Sequence, residues 1–209
     1  MALEPFYERD GQTIFCGDCR EILPALEPVD LVLTDPPYGI GERWQGGARH
    51  GWAKTDTEKT SRNSWDGATP DDATIRAVVS AGTAAIVWGG NYFALPPSRC
   101  WLVWNKPERG FTLAEAELAW TSADNVARVF DGNRHAATRV HPTQKPLPLI
   151  KWCLSLSWAK DAATVLDPFM GSGTTLVAAR DMGRKAIGIE IEERYCEIAA
   201  KRLDQGVLF

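Results

Sequence analysis

Two corners of the sequence carry acids where chemistry could occur. In the first, the apolar run Leu31-Val32-Leu33 stops at Thr34-Asp35-Pro36-Pro37-Tyr38. A plain turn needs neither the carboxylate nor the ring. An acid and an aromatic side chain on a proline-stiffened strand end read as a surface that holds another group.

The second corner is Val165-Leu166-Asp167-Pro168-Phe169-Met170-Gly171-Ser172-Gly173-Thr174-Thr175, which reads as strand, tight turn and helix. Glycines at such a turn let a ligand approach the backbone, and a helix start offers free N–H groups. A phosphate-binding loop would place lysine after the last glycine, where Thr174 stands. A dinucleotide fingerprint would place a third glycine at Leu176. Triphosphates and NAD are therefore disfavoured. The turn opens with an acid, Asp167, which suits a cationic ligand. The next strand, Ala186-Ile187-Gly188-Ile189-Glu190, closes with an acid suited to a ribose diol. Together the two acids describe S-adenosyl-L-methionine better than a dinucleotide.

Positioning these corners requires alternating strands and helices. Strands are expected at Thr13–Cys16, Asp30–Thr34, Ala84–Trp88, Trp101–Trp104, Glu117–Thr121, Val126–Phe130, Thr164–Leu166 and Ala186–Glu190. Helices are expected at Arg20–Ala25, Asp71–Ala81, Pro148–Ala159, Thr174–Met182 and Glu192–Leu203. The alternation predicts an α/β fold with a mostly parallel sheet of seven to eight strands and an antiparallel hairpin at one edge. The 209 residues suit a single domain, 1–209. Residues 39–70 and 131–146 show no clear period and are candidate substrate-contacting loops.

The net charge of −4 rules out a basic sheath, so any nucleic-acid contact must be local. The N-terminal residues lack the charged and apolar regions of a signal peptide, and no run reaches membrane-spanning length. A cytoplasmic protein with five reduced cysteines is expected. Cys16 and Cys19 form a lone CxxC, read as two thiols at a strand end; no metal site is expected.

Asp35-Pro36-Pro37-Tyr38 followed by Asp167-Pro168-Phe169-Met170-Gly171-Ser172-Gly173-Thr174 resembles the amino-methylating DNA methyltransferases, which modify adenine N6 or cytosine N4. Gly17-Asp18-Cys19, Trp88-Gly89-Gly90-Asn91-Tyr92-Phe93 and His141-Pro142-Thr143-Gln144-Lys145-Pro146 extend the likeness over nearly the whole chain. The order, with DPPY before the glycine turn, looks like the circularly permuted beta class, with a Rossmann-like class I methyltransferase fold. The resemblance implies that Asp167, Phe169, Gly171, Ser172, Gly173 and Thr174 line the S-adenosyl-L-methionine pocket and that Glu190 holds the ribose. It puts Asp18 and Cys19 near the cofactor adenine, and Thr143, Gln144 and Lys145 at its methionine end.

The resemblance also gives the first corner a task. An exocyclic amino group is a poor nucleophile because its lone pair spreads into the ring. The Asp35 carboxylate and the Pro36 carbonyl can accept from its two N–H bonds, and Pro36 and Pro37 preorganise both acceptors. Tyr38 becomes a stacking platform for a flipped base, returning roughly 1–3 kcal/mol of the unstacking cost. Double-stranded DNA is the expected partner. Arg43, Arg49, Lys54, Lys59 and Arg62 in one loop, and Arg134 and Arg139 in the other, are the expected phosphate contacts. Aspartate at the head of the tetrad favours adenine, because serine is common there in cytosine-N4 enzymes. Cytosine-N4 methylation and a non-catalytic DNA-binding subunit are the alternatives. The resemblance also allows a homodimer.

Overall fold

The computed structural model describes residues 3–39, 69–107, 114–133 and 145–205. Both candidate loops, with all seven expected phosphate-contacting residues, Thr143 and Gln144, lie largely or wholly outside the described residues.

The strands are β1 Tyr7–Arg9, β2 Gln12–Cys16, β3 Val29–Thr34, β4 Gly82–Trp88, β5 Trp101–Asn105, β6 Ala116–Thr121, β7 Arg128–Asp131, β8 Thr164–Asp167 and β9 Lys185–Glu190. The helices are α1 Cys19–Ile22, α2 Asp72–Ser80, α3 Leu147–Ser155, α4 Thr174–Asp181 and α5 Glu193–Asp204. One sheet runs in the order β1-β2-β9-β8-β3-β4-β6-β5-β7. Its nine strands among the described residues correct the expected seven to eight: β1 folds back antiparallel on β2, a pairing that three residues of mixed polarity do not announce. The expected hairpin forms from β5 and β6, but not at the edge. Strand β7 pairs parallel with β5 and covers it. Helix α3 ends at Ser155, short of the expected Ala159, because Leu156 turns to extended backbone.

Alternation along the inner strands sorts two apolar layers. Leu31 and Leu33 of β3, with Ile86 and Trp88 of β4, meet side chains of α3, α4 and α5. Val32, Ala85 and Val87 face the other way, onto Ile22 of α1 and Val78 of α2. This period of two on strands buried on both faces explains why the runs read as continuously apolar.

The direction of the connections makes the crevice. From β3 the chain proceeds through α2 to β4 on one side; from β8 it proceeds through α4 to β9 on the other. Parallel crossovers share one handedness, so opposite directions put α2 and α4 on opposite faces. The sheet therefore splits its helices between β3 and β8, at the carboxyl ends where ligands bind in such folds. Side chains pin that strand pair at both ends. Asp30 accepts from the Ala163 N–H (2.9 Å) and the Thr164 N–H (2.8 Å) at the start. At the finish the Thr34 hydroxyl donates to Asp167 Oδ1 at 2.7 Å.

Candidate active site

The carboxyl ends of β2, β9, β8, β3 and β4 deliver, side by side, Cys16, Glu190, Asp167, Thr34-Asp35 and Trp88-Gly89. Strand β6 is antiparallel to β4, with Ala119 opposite Trp88, so its beginning and Glu117 lie on the same rim. The strands ending at Asp35 and Asp167 are neighbours, so the two corners adjoin.

At the first corner both oxygens of Asp35 are engaged. The Tyr38 hydroxyl donates to Oδ1. The Lys145 ammonium donates to Oδ2 at 2.5 Å and lies 3.3 Å from the Tyr38 oxygen. Lys145 precedes α3 and its side chain is only 8% exposed. Its ammonium also pairs with Glu117 Oε2 at 3.0 Å, and Glu117 Oε1 accepts from Lys106. Burial alone would drive the proton off Lys145; Asp35, Tyr38 and Glu117 reverse this and hold it charged. Burial likewise pushes the Glu117 carboxyl up, but Lys145 and Lys106 outweigh it and bring it to about 2. The result is an alternating chain of charges, Asp35, Lys145, Glu117 and Lys106.

Tyr38 stacks on Tyr92, with ring centroids 5.0 Å apart and planes 20° apart. Burial, with the Asp35 charge beside it, keeps its hydroxyl protonated. Gly89 makes room for the ring. It sits at φ +67°, and a Cβ there would lie 2.0 Å from Tyr38 Cε1.

The second corner is built from backbone and hydroxyls. Asp167, 4% exposed, accepts from Thr34, from the Phe169 N–H at 3.2 Å and from the Thr175 hydroxyl. Burial still lifts its carboxyl to about 6, against those donors. Glu190 accepts from the Gly171 N–H at 3.0 Å and the Glu192 N–H at 2.9 Å. Its carboxyl is raised, chiefly by burial. Arg202 of α5 braces the turn through the Ser172 carbonyl and, at 3.3 Å, the Thr174 hydroxyl. Gly171 has φ +51°, and among the described residues nothing lies within 4 Å of where its Cβ would be. That open side, beside a buried carboxylate on a costly charge, fits a ligand with a cationic centre. The acceptor capacity that remains on Glu190 fits a diol.

The expected site residues thus fall into groups. Asp35, Pro36, Pro37 and Tyr38 form one corner; Asp167, Phe169, Gly171, Ser172, Gly173, Thr174 and Glu190 form the other. Asp18 lies at the adjoining end of β2, where it caps α1 by accepting from the Arg20 N–H at 2.9 Å. Cys19 is buried, and desolvation raises its thiol to about 11. Lys145, expected at the methionine end of the cofactor, is paired with Asp35. Thr34, Gly89, Tyr92, Glu117, Lys106 and Arg202 were not anticipated as site residues. In the sequence the segment Trp88–Phe93 reads only as a motif, and Glu117 only as a strand start.

A family model described as DNA methylase matches residues 54–201. The type II methyltransferase M2.DpnII of Streptococcus pneumoniae is 50% identical, over 98% of this chain and 94% of its own length. Among solved structures, the cytosine-N4-specific PvuII DNA methyltransferase superposes with a TM-score of 0.63 at 14% identity, covering 99% of this chain and 91% of that one. A complex of M1.HpyAVI with SAM superposes with a TM-score of 0.57 at 21% identity, over 92% of this chain and 99% of the other. At these identities the two structures speak for the fold.

Proposed function

The chain belongs to the DNA methylase family whose members modify N6 or N4 amino groups, and on that premise we propose that it methylates the N6 of an adenine flipped out of double-stranded DNA. The cofactor is S-adenosyl-L-methionine, which supplies an electrophilic methyl on a sulfonium.

The observation that carries the reading is the 2.7 Å hydrogen bond from Thr34 to Asp167. Thr34 is the neighbour of Asp35, so the acceptor for the target amino group and the acid of the cofactor turn share one contact. A base against Asp35 and a cofactor against Asp167 would meet directly, as group transfer at roughly 3–3.5 Å requires.

The chain's own residues have separable tasks. Asp35 and the Pro36 carbonyl accept from the two N–H bonds of the amino group and concentrate its lone pair toward the methyl. This is electrostatic preorganisation; no strong base is needed. The methylated nitrogen is cationic and gives up a proton readily to Asp35. Tyr38 and Tyr92 hold the flipped base, by stacking worth roughly 1–3 kcal/mol per base. Asp167 faces the cationic end of the cofactor, and Glu190 its ribose. Lys54, Lys59, Arg43, Arg49, Arg62, Arg134 and Arg139 supply phosphate contacts. Asp35 at the head of the tetrad supports adenine over cytosine. No helix among the described residues is long and apolar enough to cross a membrane.

The test is direct. The protein is incubated with methyl-labelled S-adenosyl-L-methionine and unmethylated DNA, the DNA is digested, and the labelled nucleoside is identified. N6-methyladenine is the expected product. N4-methylcytosine would overturn the choice of base, and no label in any DNA would overturn the activity.

A further inference from the structure

We propose that Glu117 is a positioning residue for methyl transfer: it draws the Lys145 ammonium off Asp35 when the target amino group arrives, and Lys106 keeps it in place to do so. The proposal rests on the DNA-methylation reading and deepens it.

The difficulty it resolves is visible at Asp35. The carboxylate that must accept from the substrate already accepts from the Tyr38 hydroxyl on one oxygen and from Lys145 on the other. The Tyr38 hydroxyl can turn its proton to another acceptor, because that proton moves about the single Cζ–O torsion. The ammonium cannot retreat to water: the Lys145 side chain is 8% exposed, and an unpaired buried charge is costly. It needs a second anion within reach. Glu117 Oε2 is that anion, already 3.0 Å away. An ammonium carries three donors, so leaving Asp35 costs Lys145 one partner and not its only one.

Glu117 is built to stay where it is. It is the second residue of β6, between β4 and β5, with Trp104 of β5 as its cross-strand partner. Its other oxygen holds Lys106, whose side chain is 7% exposed and whose ammonium lies 4.5 Å over the Trp104 ring. The Lys106 N–H donates to the Glu115 carbonyl at 2.9 Å, so the lysine is fixed at its backbone too. The mobile member of the chain is therefore Lys145, and the fixed anion decides where it rests. With Glu117 neutral, Asp35 would be the remaining carboxylate on Lys145 among the described residues, and the ammonium would stay where the substrate must bind.

The experiment measures turnover on unmethylated bacterial genomic DNA at saturating methyl donor, with melting temperatures alongside. Glu117→Gln is expected to lower turnover roughly 30-fold or more, while the KM for S-adenosyl-L-methionine changes less than about twofold. Glu117→Asp, which keeps the charge, should recover part of the loss. Lys106→Met should lose less than Glu117→Gln. A readout independent of activity is the crystal structure of Asp35→Asn, in which Lys145 should remain within ion-pair distance of Glu117. Wild-type turnover in Glu117→Gln would overturn the proposal. So would equal losses of turnover and melting temperature in Glu117→Gln and Glu117→Asp, or a Lys145 turned away from Glu117 in Asp35→Asn. A wild-type protein that labels no DNA would instead defeat the methylation reading, and the Asp35→Asn structure would still decide the placement of Lys145.

Discussion

Asp35 and Asp167 close adjacent parallel strands, yet they are held in opposite ways. Asp35 is held by two side chains, Tyr38 and Lys145, that must yield before it can meet a substrate. Asp167 is held by a backbone N–H and two hydroxyls that can stay put when a ligand arrives. The first corner is occupied by its own protein; the second is preformed around an open glycine. On the proposed function the difference matches the two substrates: a small cofactor would enter a finished pocket, whereas a base drawn out of DNA would displace the side chains that neutralise Asp35.

Substitutions can break this contrast or sharpen it. Asp35→Ala should have the largest effect, lowering transfer by about 10²–10³-fold, the range for loss of one preorganised acceptor or donor. Cofactor affinity by calorimetry should change little; a large loss of affinity would merge the two corners into one.

Asp167→Asn should act on affinity and on pH. Burial places the folded carboxyl at about 6. That lies above the unfolded value of about 3.9. The folded chain therefore binds the extra proton, and ionisation costs stability as pH rises through that window, on the order of 2–3 kcal/mol by pH 7. The asparagine variant should melt at or above the wild-type temperature at pH 7.5, with the difference shrinking toward pH 4. Its affinity for S-adenosyl-L-methionine should be weaker by roughly 10–100-fold, because a charge-assisted contact is lost. The rise in wild-type affinity between pH 5 and 7 should be absent from it.

Gly89→Ala comes next. Its Cβ would fall 2.0 Å from the Tyr38 ring at φ +67°, so the platform must move. A loss of about 1–3 kcal/mol in denaturant unfolding is expected, with roughly tenfold slower transfer and unchanged cofactor affinity. Tyr38→Phe should do least, changing turnover less than about fivefold, since its proton turns away from Asp35 when the base binds. A hundredfold loss would mean that the hydroxyl acts in the transition state.

Much of the frame was legible in the chain. The runs at Leu31–Leu33 and Val165–Leu166 are apolar on consecutive residues because both faces of those strands are covered, and glycine, proline and aspartate mark where they stop. Asp167 and Glu190 were legible because one βαβ unit spans them at short range. The partners of Asp35 were not. Lys145 is 110 residues away in sequence and reads as a cofactor contact by its motif. Glu117 reads as an ordinary strand residue, and only the insertion of β6 between β4 and β5 brings it to the rim. Strand β1 is not legible in the chain because a three-residue pairing carries almost no periodic signal.

The sequence by itself determined the two corners, their acids and the family, since these rest on local runs of residues whose backbone and chemistry are set by their immediate neighbours. Only the tertiary structure decided which charges face one another. Ion pairing among Asp35, Lys145, Glu117 and Lys106 depends on strand order and on burial, and neither is a property of any local stretch.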